Sequence, residues 1–121
     1  MINLLLGGVL NGSEGKTQQI RKQLQEVIGK APEIGKFAEY VHVAESPKAL
    51  DTKTKELISL GIALAVRCEP CIVWHTEAAV RVGTTEEEIL DTIKVAVCMG
   101  GGPALMYGLK AYEVALEFLE K

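Results

Sequence analysis

Residues 56–75 read Glu56-Leu57-Ile58-Ser59-Leu60-Gly61-Ile62-Ala63-Leu64-Ala65-Val66-Arg67-Cys68-Glu69-Pro70-Cys71-Ile72-Val73-Trp74-His75. Between Leu57 and Val66 every side is apolar except at Ser59, with Asp51 placed as N-cap ahead of it. A helix apolar all round must be covered on all sides, within one subunit or between copies. Pro70 follows where a new helix can begin, because a proline in the first turn loses no hydrogen bond. Two helices meeting at a cysteine pair therefore organise the chain.

Outward from this stretch the pattern stays helical. Towards the N-terminus, Asn11-Gly12-Ser13 reads as a turn, and Ile20, Leu24, Val27 and Ile28 recur at helical spacing. Pro32 suits the first turn of a second helix with Ile34, Phe37, Ala38 and Val41 on one stripe, and Ser46-Pro47 breaks the chain. Towards the C-terminus, Gly83 is a stop for the fourth helix. Thr85 and Glu88 form a capping box for a fifth, whose stripe is Ile89, Ile93, Ala96 and Val97. Gly100-Gly101-Gly102-Pro103 ends that helix and starts a sixth. The sixth carries Ala104, Gly108, Ala111 and Ala115 on a close-packing face, and Leu105, Leu109, Tyr112, Leu116 and Leu119 on the other. The expectation is all-α: one domain of about six helices over 16–121, preceded by an apolar arm over 1–15.

Composition agrees. The 121 residues suffice for one core, hydrophobic residues are 48% and aromatics only 5%, which suits close-packed helices better than a β-sandwich. Thirteen basic against sixteen acidic residues give a net charge of −3, without the electrostatic footprint of a nucleic-acid or anionic-membrane binder. The run Met1–Leu10 has no basic residue before Lys16, so it lacks a secretory n-region, and it is shorter than a membrane span of roughly 20 residues. A cytoplasmic setting is the expectation, and there a close cysteine pair is more often catalytic or metal-binding than structural.

The chemistry-bearing residues are Glu56, Cys68, Cys71 and His75. A cysteine at a helix N-terminus is stabilised as thiolate, the nucleophilic form. His75 stands one turn beyond Cys71 on the same face and can take or return the thiol proton. Glu56 is suited to orient the imidazole. Twelve residues of continuous helix would separate it from Cys68 by roughly 18 Å, so the contact needs the fourth helix to fold back, at the break around Glu69-Pro70. Other readings of the same residues are two buried small side chains, or structural zinc on Cys68, Cys71 and His75 with Cys98 or His42 as fourth ligand. Haem attachment is excluded because the His does not directly follow the second Cys. Cys98 reads as a packed core thiol, Trp74 as packing that dries the site, and Gly100–Gly102 as a helix-breaking turn rather than an anion cradle.

Glu56-x11-Cys68-x2-Cys71-x3-His75 resembles the signature of the alkylhydroperoxidase D family, within the carboxymuconolactone decarboxylase-like superfamily. The flanks Leu50–Ile58 and Ala96–Ala104 are similar to that superfamily too, and the resemblance spans roughly residues 30 to 119. It implies an orthogonal all-helical bundle assembling as trimers or hexamers, with no cofactor or metal. It also implies a cysteine-dependent peroxidase: Cys71 attacks the peroxide, Cys68 resolves the sulfenic acid as a disulfide, and Glu56 and His75 relay protons. The substrate would be a peroxide or a small disulfide, and a dihydrolipoyl or other thiol protein would be the reductant. The sequence departs from the peroxidases at Pro70, where they carry an additional His, which shortens the relay. A general thiol–disulfide oxidoreductase is the alternative within this fold. A lactone decarboxylase is a further one, although that branch typically lacks the CxxC.

Overall fold

The computed structural model describes residues 12–120, which form five helices and no strand. They are α1 (Gly12–Lys30), α2 (Ile34–Ala44), α3 (Thr52–Val66), α4 (Glu69–Arg81) and α5 (Glu86–Leu119). The chain divides into two compact units, one ending at Ala44 and the other running from Glu45.

In the first unit α1 begins at Gly12, so Gly12 and Ser13 belong to the helix rather than to a turn. The apolar arm expected over 1–15 lies, up to residue 11, outside the described residues. Pro32 sits in the short turn before α2, where the Gly35 N–H donates to its carbonyl. The expected stripe on α2 is not buried: Ile34 and Phe37 are exposed, and Ala38 and Val41 are half-covered.

The second unit holds the core. Leu60 and Leu64 from α3, Ile72 and Ala79 from α4, and Ile89, Ala96, Ala111 and Ala115 from α5 pack together out of solvent. Each fully buried Leu or Ile contributes about 1.5–3 kcal/mol. The small-residue face works as its composition suggests. A Cβ on Gly108 would stand 2.8 Å from Ile93 Cγ2, so the two limbs of α5 touch only because Gly108 has no side chain. Ala104, Ala111 and Ala115 on the same face are fully buried, while Leu105 and Leu109 are exposed.

The expected fifth and sixth helices run as one element, α5, broken internally at Gly101 (φ 73°, ψ −156°). That backbone region is open essentially only to glycine. Pro103, lacking an N–H, then begins the second limb. By length and composition α5 is the one described helix apolar enough to cross a membrane. Its small-residue face is instead committed to packing within this unit.

The caps agree with the sequence. Asp51 accepts from the Thr54 N–H at 2.7 Å, and Gly83 takes φ 95° just beyond α4. Thr85 and Glu88 bond reciprocally to each other's backbone N–H, at 3.1 and 2.9 Å. Lys53 adds a 2.8 Å hydrogen bond to Glu88, tying the start of α3 to the start of α5. The Lys53 bond first, then the Thr85 N–H, holds the Glu88 carboxyl below the ordinary glutamate value. A carboxyl depressed in the folded state stabilises above its unfolded pKa and loses that contribution as pH falls through its folded one. The stability gap between the wild-type chain and Glu88→Gln, measured by urea unfolding across pH, is therefore expected to be flat near neutrality. It should close below the ordinary glutamate range.

Candidate active site

The fold-back comes one step earlier than Glu69-Pro70, which are already the first two residues of α4. Arg67 adopts a left-handed conformation (φ 61°, ψ 45°) and ends α3. Its N–H donates to the Leu64 carbonyl at 3.3 Å and that of Cys68 to Ala63 at 3.1 Å, the paired bonds that reverse a chain at a helix C-terminus. Cys68 is then the N-cap of α4, its Sγ accepting from the Cys71 N–H at 3.3 Å. This sharp reversal lays α4 back along α3.

The consequence is a contact across 19 residues. The His75 Nδ1 and Glu56 Oε1 lie 2.9 Å apart. Glu56 is buried and His75 half-buried, so water competes little for the bond. With the ring's one neutral-state proton directed from Nδ1 to the carboxylate, Nε2 is left as the basic nitrogen. Cys68 and Cys71 are joined by a disulfide, their Cα atoms 5.2 Å apart, and both are partly buried at the start of α4. Cys71 lies against the core cluster and one helical turn before His75. The structure thus brings Glu56 to His75 and Cys68 to Cys71, with Cys71 one helical turn before His75 on α4.

Two expectations change. Cys98 is a free, exposed thiol on α5, not a packed one, because it falls off the Ile89–Ile93–Ala96 stripe that the core covers. The other change is an addition: Glu45. Its Oε2 lies 3.7 Å from His75 Nδ1 and accepts from the Ser59 hydroxyl at 3.0 Å. A lone acid ahead of Ser46-Pro47 belongs to no motif, so only folding reveals it. Glu45, Glu56 and His75 offer ligand-type atoms all within 4.8 Å of one another, the set in the described residues that could hold a metal ion. Trp74, beside His75 in sequence, is half-buried.

The chain is similar to known proteins in sequence and in fold. An uncharacterised protein of Cupriavidus necator is 33% identical over 75 residues, 62% of this chain, and the match spans 66% of that relative, just under two thirds. A carboxymuconolactone decarboxylase family protein from Legionella pneumophila superposes with a TM-score of 0.83 at 40% identity, covering 88% of this chain and 96% of that one. A Thermotoga maritima protein of the same family, for which involvement in antioxidative response has been suggested, gives a TM-score of 0.81 at 28% identity, covering 87% and 91%. Residues 32–113 match the family's sequence profile directly. The chain belongs to the carboxymuconolactone decarboxylase family.

Proposed function

We propose that the chain is a thiol-dependent peroxidase working through Cys68 and Cys71. The observation that carries this reading is the buried Glu56–His75 hydrogen bond, placed one helical turn from a cysteine pair close enough to form a disulfide. The Cys71 thiol gives its proton to His75 Nε2, and the thiolate attacks the terminal peroxide oxygen. The O–O bond breaks, an S–O bond forms, and the alkoxide leaves as alcohol with the proton returned by His75. Cys68 then attacks the sulfenic sulfur, water departs, and the disulfide results. A dithiol reductant, a dihydrolipoyl protein among the candidates, restores the pair by thiol–disulfide exchange. The antioxidative suggestion made for the Thermotoga relative is in keeping with this chemistry, as is a reducing cytoplasm.

Pro70 favours a second reading. It fills the position at which the resembling peroxidases carry an additional His, and a shorter relay suits an organic disulfide as oxidant in place of a peroxide. Copies of the chain are also part of the reading. Ile58 and Ile62 on α3 are exposed and, with Val95 and Met99 of α5, border an apolar groove of about 390 Å³. A trimer or hexamer would cover it, giving α3 its second apolar face a use.

The test is a stoichiometric challenge of the reduced protein with cumene hydroperoxide, followed by mass spectrometry of the thiols. The Cys68–Cys71 disulfide is expected to form much faster than a free-thiol control oxidises. Oxidation at the control's rate overturns the peroxidase, and fast oxidation by an organic disulfide alone establishes the second reading. Turnover of a carboxylated lactone by a variant with both cysteines changed to serine would instead reveal a decarboxylase.

A further inference from the structure

Two carboxylates converge on a single imidazole nitrogen. His75 Nδ1 stands 2.9 Å from Glu56 Oε1 and 3.7 Å from Glu45 Oε2. One N–H satisfies one of them, and Glu56 takes it. Glu45 is not placed by that proton: its carboxylate is held in position by the Ser59 hydroxyl, 3.0 Å away, and still faces the ring. A half-buried pocket that orients a second anion beside an already paired one concentrates negative charge around one ring nitrogen.

We infer that Glu45, Glu56 and His75 Nδ1 form a binding site for a divalent cation of the zinc type. Tetrahedral zinc bonds of about 2.0–2.2 Å to His and carboxylate place neighbouring ligand atoms about 3.3–3.6 Å apart. The Nδ1–Oε1 pair at 2.9 Å opens and the Nδ1–Oε2 pair at 3.7 Å closes to reach that spacing, and all three ligand atoms already lie within 4.8 Å of one another. One nitrogen and two carboxylate oxygens match the imidazole and hard-oxygen preferences of zinc and ferrous iron better than those of a thiol-seeking ion. Ser59 supplies the outer hydrogen bond that ligating carboxylates usually have, and a fourth position stays open for water. The three ligands come from separate places in the chain, so the site exists only in the folded protein.

The site is separate from the thiols. Zinc on reduced Cys68 and Cys71 is a competing arrangement, and the disulfide form removes it by withholding both sulfurs. A cation on Nδ1 also puts the ring's one proton on Nε2, where it no longer serves as base for Cys71. That consequence rests on the peroxidase reading, but the site itself does not.

The experiment titrates the full chain in its disulfide form with Zn²⁺ by calorimetry, without peroxide or reductant, and repeats it with Co²⁺ under an absorption spectrometer. One Zn²⁺ per chain is expected. Glu45→Gln and Ser59→Ala should each weaken it at least about tenfold, and the Co²⁺ spectrum should show ligand-field bands without a thiolate charge-transfer band. Zn²⁺ binding equal in wild type and Glu45→Gln overturns the site, as does no binding or a thiolate band. Ser59→Ala keeps all three ligands, so it covers the case in which Glu45→Gln fails to fold. Because no turnover is read, loss of the metal site and failure of the peroxidase are told apart.

Discussion

Cys71→Ser is expected to reduce peroxide consumption to the level of a protein-free control, whereas Cys68→Ser still consumes one equivalent and stops at a sulfenic acid on Cys71. The asymmetry follows from position. Cys71 is in the first turn of α4, one turn before His75. Cys68 is the N-cap, outside the helix and further from the imidazole along the chain. A serine hydroxyl stays protonated at neutral pH, so the nucleophile is lost outright. Removing Cys68 takes away only the sulfur that expels water from the sulfenic acid. Running both variants reduced, with circular dichroism to confirm folding, keeps the lost disulfide from affecting the comparison. A dimedone-type probe on Cys68 of the wild-type chain, in place of Cys71, would reverse the assignment.

The second large effect belongs to the Glu56–His75 pair. His75→Ala should slow single-turnover disulfide formation by about 10²–10⁴-fold, the usual contribution of a positioned acid–base group. It should also cost stability, because it leaves Glu56 buried with its hydrogen-bond partner gone, worth about 1–3 kcal/mol. Glu56→Gln keeps the shape and one acceptor oxygen but removes the negative charge beside the ring. Its rate loss should be smaller, because the amide oxygen can still hold the Nδ1 proton and the orientation of the ring. A purely structural Glu56 would lower stability in this variant and leave the rate where it was. Stopped-flow measurement of disulfide formation, with urea unfolding of the same variants, separates the two.

Much of this was legible from the linear chain because short-range rules govern it. The Asp51 N-cap, the Thr85–Glu88 capping box and the Gly83 stop each satisfy backbone groups within four residues, and all three stand in the structure. The core stripe Ile89, Ile93 and Ala96 and the small-residue face Ala104 to Ala115 obey the helical repeat. Periodicity cannot say which of two apolar faces is covered, and here it misled twice. Ile34 and Phe37 of the α2 stripe are exposed, and Cys98 lies just off the buried stripe.

Sequence alone marked out the all-helical class, the caps at Asp51 and Thr85 and the four candidate residues Glu56, Cys68, Cys71 and His75. Each is a local pattern, set by hydrogen bonds and side-chain spacing along one segment. Tertiary structure decided whether those residues meet. Arg67, in a left-handed conformation that its residue type does not favour, turns α4 back so that Glu56 and His75 touch across 19 residues. It also decided the place of Glu45, which carries no motif and reaches His75 only because the chain from residue 45 closes over α3 and α4. Contacts between segments distant in sequence depend on the angle at one turn and on the packing of whole faces, and no local pattern records either.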